Sequence, residues 1–178
     1  MRSFLSVAGC FLLPAIIGCN SKTNEYIPDT VEGYVPVYTQ PVTLGTTMQV
    51  AAAKSTEKAG KIYAYGKYIF QNDINQGIHI IDNTDAANPH KVGFLNIPFN
   101  SDFAIRNGYL YANVINDLAV IDIRNINQPV IVKTVKNAFP LIDQQYPPNP
   151  GYFICPDPSK GIVIDWELKK ISTPHCRR

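Results

Sequence analysis

The sequence predicts an all-β fold made of antiparallel, four-stranded, blade-like repeats of about 40 residues. Short β-branched and aromatic runs are divided by turn residues, and one order of those runs comes back in phase. The composition agrees: 178 residues, 46% apolar, with ten Tyr, eight Phe, 14 Pro and 11 Gly against two Met and one Trp. Such a chain has room for one domain with a real core and favours strands and turns over long helices. With 16 basic and 14 acidic residues it lacks the basic footprint of nucleic-acid binding.

Residues 1–18 read as an address. Met1-Arg2-Ser3 brings one positive charge, and Phe4 to Ile17 is a mostly apolar stretch of fourteen residues, shorter than the roughly 20 that span a bilayer as a helix. This is the layout of a secretory signal peptide. Its end, Ile16-Ile17-Gly18-Cys19, resembles the lipobox of bacterial lipoproteins: branched residues, a small residue, then an obligatory cysteine. The resemblance implies cleavage between Gly18 and Cys19 and lipid on the Cys19 sulfur and new amino terminus. Several acyl chains anchor durably where one holds only marginally. Membrane lipid, through acylated Cys19, is therefore the first expected partner. Asn20, in place of an Asp after the cysteine, favours the outer membrane by the same resemblance. Loss of Arg2 with the leader takes 16 basic residues to 15 against 14 acidic, so net charge gives no pull toward anionic lipid.

Residues 19–36 are polar and turn-rich, ending in Gly33-Tyr34-Val35-Pro36, and are expected to be a tether, with folding starting later. Residues 37–59 either contribute strands, through Val42 to Ala53, or stay outside the fold. Lys54-Ser55-Thr56-Glu57-Lys58 reads as solvated loop.

The repeat domain is expected over residues 60–178, in units of about 60–98, 99–136 and 137–178. In the first, Ile62-Tyr63-Ala64-Tyr65, Tyr68-Ile69-Phe70, Gly77-Ile78-His79-Ile80-Ile81-Asp82 and Lys91-Val92-Gly93-Phe94-Leu95 are strand-length runs, with Gly66-Lys67 and Asn88-Pro89 as punctuation. In the second they return as Phe103-Ala104-Ile105, Tyr109-Leu110-Tyr111, Asp117-Leu118-Ala119-Val120-Ile121-Asp122 and Val130-Ile131-Val132-Lys133, after Gln128-Pro129. Asp82 to Asp122 and Pro89 to Pro129 are both 40 residues apart. The third offers Gly151-Tyr152-Phe153-Ile154-Cys155, Gly161-Ile162-Val163-Ile164-Asp165 and Thr173-Pro174. Four strands per 40–45 residues is the signature of β-propeller blades.

An apolar run closing on Ile-Asp, with Asn-Pro or Gln-Pro seven residues on, resembles the LVIVD repeat of Gram-negative envelope lipoproteins, over roughly residues 60–178. The resemblance implies a β-propeller and carries no established chemistry. Propellers close with about four or more blades, and this chain offers two clear units and a third. A partial or short propeller is expected, with an apolar blade face that the Cys155–Cys176 region or a partner must cover.

Cys10 leaves with the leader and Cys19 takes lipid, so Cys155 and Cys176 remain as an even pair in an oxidising compartment, which points to a disulfide. No Cys-x-x-Cys redox motif or zinc spacing is present. His79, His90 and His175 have no metal-site spacing, and no metal or cofactor is expected. Asp82, Asp122 and Asp165 recur in phase, so they are expected to end strands or cap turns, Gly77 to punctuate a hairpin, and Gly161, Pro89 and Pro129 to be structural residues of the repeat. Asp73-Ile74-Asn75-Gln76-Gly77 is a poor calcium loop, its glycine one position early and the twelfth-position Glu missing. Tyr63, Tyr65, Tyr68, Tyr109 and Tyr111 read as cross-strand packing residues that could also line a binding face. Tyr146-Pro147-Pro148-Asn149-Pro150-Gly151 reads as a stiff surface loop between the second and third units, either a pre-ordered contact surface or a spacer that lengthens the third unit.

No catalytic constellation is present in the sequence. The expected function is therefore a lipid-anchored, non-enzymatic module that binds an envelope protein or a glycan. The rival reading is an enzyme whose site is built from loops; it requires Asp73, Asp102, Asp117 or Asp143 to converge in one pocket. A shortened relative of a longer repeat lipoprotein, without activity of its own, is the third.

Overall fold

The computed structural model describes residues 28–42, 44–45 and 48–178. The expected leader, the expected Gly18–Cys19 cleavage point and the expected lipidation site Cys19 lie outside the described residues. In chain order the strands are β1 (Thr30–Thr39), β2 (Val50–Ala51), β3 (Ala59–Tyr65), β4 (Tyr68–Asp73), β5 (Gly77–Asp82), β6 (His90–Asn96), β7 (Phe103–Arg106), β8 (Tyr109–Val114), β9 (Asp117–Asp122), β10 (Val130–Val135), β11 (Tyr152–Phe153), β12 (Ile162–Ser172) and β13 (Cys176–Arg177). They form three sheets, ordered β2-β6-β5-β4-β3, β10-β9-β8-β7 and β12-β1-β11-β13.

The first two sheets contain the repeats, each an antiparallel four-stranded meander. Local turn chemistry sets their hairpins. Asn107 and Gly108, between β7 and β8, have φ of 51° and 78°, the left-handed pair that a tight two-residue hairpin turn requires and that Asn-Gly tolerates best. Gly77 opens β5 at φ 146°, where a Cβ would collide with the Leu95 carbonyl oxygen of β6, so both conformation and space demand glycine. Asp82 and Asp122 end β5 and β9, and each caps the turn that follows: Thr84 N–H donates to Asp82 Oδ1 at 2.8 Å and Arg124 N–H to Asp122 Oδ1 at 3.0 Å. Pro89 and Pro129 stand immediately before β6 and β10.

The equivalence extends to an irregularity. β6 skips Val92 in its pairing with β5, where Ile80 faces Gly93 and Ile81 faces Lys91. β10 skips Val132 in its pairing with β9, where Val120 faces Lys133 and Ile121 faces Ile131. The same bulge thus sits forty residues on, in the fourth strand of each meander.

The two meanders stack face to face. One face of the first sheet, with Phe70, Ile78, Ile80 and Leu95, packs against the face of the second that carries Phe103, Ile105, Leu110, Ala112, Val114, Ala119 and Ile121, and these form one core. Tyr63 and Tyr65 fasten the seam: the Tyr63 hydroxyl donates to the Ile105 carbonyl at 3.1 Å, and Gly108 N–H donates to the Tyr65 hydroxyl at 2.8 Å. This is how neighbouring propeller blades pack, and the arrangement is an open, partial stack rather than a closed ring.

The third sheet departs from the expected blade of residues 137–178. Residues 30–36, expected as tether, belong to β1, which pairs with β12 from Thr30↔Ser172 to Thr39↔Ile162 and lies parallel to β11 at Tyr34↔Phe153. Val31, Tyr34, Val35, Val37 and Tyr38 give β1 its strand propensity, and its partner lies more than a hundred residues downstream, beyond the reach of local pattern. Pro36 is tolerated because β1 pairs with β11 at Tyr34 alone, leaving that side without a strand neighbour at Pro36. Asp165 is also corrected: it lies inside β12, opposite Val37, and does not end a strand. The eleven residues of β12 continue past it because β1 supplies a partner as far as Ser172. Gly161, at φ 113°, closes the short 3-10 turn Pro158–Lys160 before β12. Phe153, Val163 and Trp166 form a second, small core here.

Residues 37–59 contribute the end of β1, the first residue of β3 and all of β2, which adds to the first sheet by pairing Val50 with Leu95 and Ala51 with Phe94. Cys155 and Cys176 form a disulfide with Cα atoms 5.4 Å apart, joining the segment after β11 to β13.

Candidate functional site

Repeat equivalence locates the surface that needs explaining. The second sheet buries one face against the first; its other face carries Tyr111, Leu118, Val120 and Val135. Cross-strand pairing makes these the counterparts of Phe70, Ile78, Ile80 and Leu95: Phe70 pairs with Ile80 and Tyr111 with Val120, while Ile78 pairs with Leu95 and Leu118 with Val135. The four residues of the first sheet are at most 1% exposed. Their counterparts are half-buried or exposed, and none belongs to either apolar core. An apolar face that a neighbouring repeat covers in one sheet is uncovered in the next.

Along its β7–β8 side this face runs into a groove of about 360 Å³ lined by Ala104, Tyr111, Asn113, Leu118, Phe139 and Leu141, with Lys61 and Asp102 at its rim. Asn116 shapes the far wall: its side chain accepts from Ile142 N–H at 3.1 Å and donates to the Ile142 carbonyl at 2.8 Å. That holds segment 139–142 beside β8–β9 with Leu141 64% exposed. Lys61 and Asp102 pair at 3.1 Å.

The opposite end of the stack is partly capped. The segment expected as solvated loop, 54–58, is clasped onto the outer face of the first sheet. Buried Asp73 accepts from Lys58 N–H at 2.7 Å and from Glu57 N–H at 3.1 Å. His79 Nε2 stands 3.2 Å from Asp73 Oδ2 and 3.3 Å from Thr56 Oγ1. Lys91 donates to Thr56 Oγ1 at 2.6 Å and to the Lys54 carbonyl at 3.0 Å, and the Lys54 ammonium lies 4.4 Å from the Phe94 ring centre. Burial pushes the Asp73 carboxyl up, but the two backbone donors and His79 outweigh it and hold it below its ordinary value. Burial lowers His79, Asp73 opposes this, and the cations of Lys91 and Lys54 add to the lowering.

This cluster is a clasp rather than a relay. A base that takes a proton from a hydroxyl uses one ring nitrogen for the hydroxyl and the other for the carboxylate. In His79 one nitrogen faces both Asp73 and Thr56, and among the described residues Nδ1 has no partner. The ring has no exposure to solvent.

The four carboxylates that an enzyme reading would unite stand apart. Asp73 is in the clasp and Asp102 is at the groove rim. Asp117 pairs with Lys136 at 2.7 Å beside a cavity of about 380 Å³ between the second and third sheets. Asp143 caps a bend, accepting from Gln145 N–H at 2.8 Å. Among the described residues no three His, Cys, Asp or Glu side chains are grouped as metal ligands. His90 and His175 are exposed. In loop 146–151, Pro147 is buried, and the Tyr146 ring packs edge-on to Phe153 at 6.1 Å.

A buried asparagine network ties the sheets together and has no counterpart in the sequence reading. Asn100 donates to the Asn113 carbonyl at 3.0 Å and to Asp102 O at 2.8 Å, and accepts from Asn72. Asn113 Oδ1 accepts from Ser101 N–H at 2.9 Å and Asp102 N–H at 3.0 Å. Asn72 and Asn113 occupy equivalent positions, opposite Ile78 and Leu118; their recurrence 41 residues apart, one residue off the forty-residue period, was the available signal. No protein-family model, curated protein or solved structure matches the chain.

Proposed function

We propose that this protein is a lipid-anchored lipoprotein of the cell envelope, attached to the outer membrane through Cys19. Its LVIVD-like repeat domain serves as a non-enzymatic binding and scaffold module. The observation that carries the binding half is the uncovered face of the second sheet, whose residues match positions at most 1% exposed in the first. Apolar faces of this kind on sheets mark docking surfaces. The Gly18–Cys19 motif supports the anchor. Because β1 begins eleven residues after Cys19, an anchored domain stays within roughly 40 Å of the lipid.

A polypeptide partner fits best, since the face is broad and apolar, with Arg106 and Lys133 on the same side of the sheet. A glycan is the second reading, favoured by the groove in which Tyr111 and Phe139 accompany Asn113, Asp102 and Lys61. The enzyme reading would require the separated carboxylates Asp73, Asp102, Asp117 and Asp143 to meet.

Two experiments test the proposal. Labelled palmitate is expected in the wild-type protein and not in Cys19→Ser; equal labelling removes the anchor. Envelope crosslinking is expected to trap a complex that Leu118→Arg abolishes. A complex insensitive to that change, or one that withstands protease and yields to glycosidase, removes the polypeptide docking reading.

A further inference from the structure

We infer that the occupant of the uncovered face is a second copy of this chain, which stacks its first sheet onto the second sheet of its neighbour. The inference rests on the reading of that face as a docking surface and names what docks there.

The chain contains its own precedent for the contact. The stack has two kinds of face. One carries Phe70, Ile78, Ile80 and Leu95 in the first sheet and Tyr111, Leu118, Val120 and Val135 in the second. The other carries Phe103, Ile105, Leu110 and Ile121, with Ala112, Val114 and Ala119, in the second sheet and, at the paired equivalents, Ile62, Ala64, Ile69 and Ile81, with the polar Gln71, Asp73 and His79 under the clasp, in the first. Within the chain a face of the first kind packs against one of the second kind. At the ends of the stack, one of each is left over.

Each leftover face is open over part of its area. The 54–58 clasp covers the β5–β6 half of the outer face of the first sheet, over His79 and Phe94. The β3–β4 half is left with Ile62 62% exposed. At the other end Leu141 is 64% exposed beside the second sheet. These are the two most exposed large hydrophobic side chains among the described residues, one at each end of the stack. A second copy that continues the series buries both, and extends two blades per chain toward the four or more of complete propellers. The contact is head-to-tail, with different surfaces on the two copies, so it either closes into a ring or grows.

A head-to-tail contact has a signature that other associations lack. Leu118→Arg blocks the uncovered face and Ile62→Arg blocks the opposite one; Leu141→Arg, at a surface site, serves if Leu118→Arg fails to fold. The full-length mature protein and variants in detergent micelles are followed by sedimentation velocity and light scattering. The wild type is expected to gain mass with concentration, and each variant alone to remain monomeric. An equimolar mixture of the two variants is expected to double in mass, because each supplies the surface the other has lost. Wild type monomeric at every concentration, variants that still associate singly, or a mixture as monomeric as its components would overturn the inference. A monomer whose envelope complex is still lost in Leu118→Arg leaves the docking reading standing and removes the second copy alone.

Discussion

Ile78 and Leu118 occupy the same place in consecutive sheets, forty residues apart, yet Ile78 has no solvent exposure and Leu118 is half-buried outside either core. The sheet that covers the first has no equivalent over the second. Ile78→Ala therefore leaves a cavity in a closed core and is expected to cost about 2–5 kcal/mol. Leu118→Ala trims a side chain that solvent already reaches, and is expected to cost less than about 1 kcal/mol. Denaturant unfolding of both variants checks this; equal losses would mean that the second face is covered within the chain.

The clasp on the first sheet depends on one carboxylate. Asp73→Ala leaves the N–H groups of Glu57 and Lys58 and the His79 ring without their acceptor, and is expected to destabilise the protein by about 3 kcal/mol. Amide exchange should accelerate at Glu57 and Lys58 first. Unchanged exchange there would show that the loop is held by something else.

Acid should weaken the fold in two steps. His79 is held below 6.5 in the folded protein, mainly by burial and with help from Lys91 and Lys54. The unfolded chain therefore takes up that proton first, and the associated stability is whole above 6.5 and erodes as the pH falls below it. Asp73 lies below its ordinary 3.8 when folded, so its contribution is whole above 3.8 and erodes at lower pH. Unfolding free energies at about pH 7.5 and about pH 5 should differ in the wild type and differ less in His79→Gln. Equal pH dependence in both would assign the acid sensitivity elsewhere.

The Cys155–Cys176 bond closes a loop with a sequence separation of 21. Its reduction is expected to cost roughly 3 kcal/mol by loop closure and to release β13, which pairs with β11 by two residues alone. Thermal unfolding with and without reductant, compared with Cys176→Ser, measures this. An unchanged melting temperature would mean that β13 is held without the bond.

What was legible in the sequence is what repeats or is local. The phased runs ending at Asp82 and Asp122 give both meanders, and the even cysteine pair gives the disulfide. β1 was not legible, because its strand character depends on β12 far downstream and because Gly33 and Pro36 imitate a linker. Asp165 was misleading for the same reason: its motif matches the repeat, but β1 extends the strand through it. The uncovered face was legible only as a shortage of blades, since which repeat lacks a neighbour depends on where the third sheet goes. The clasp was hidden because Asp73, His79 and Thr56 meet through pairing rather than spacing.

The most direct test of the account is the reactivity of a cysteine placed at Leu118 toward a membrane-permeant maleimide, compared between intact envelopes and the dilute purified protein, with Ala86→Cys in the exposed β5–β6 connector as reference. The account predicts that Leu118→Cys reacts readily when purified and is protected at least about tenfold in the envelope, while the reference reacts alike in both. Equal reactivity of Leu118→Cys in the two settings would contradict it, because the face would then be uncovered where the protein works.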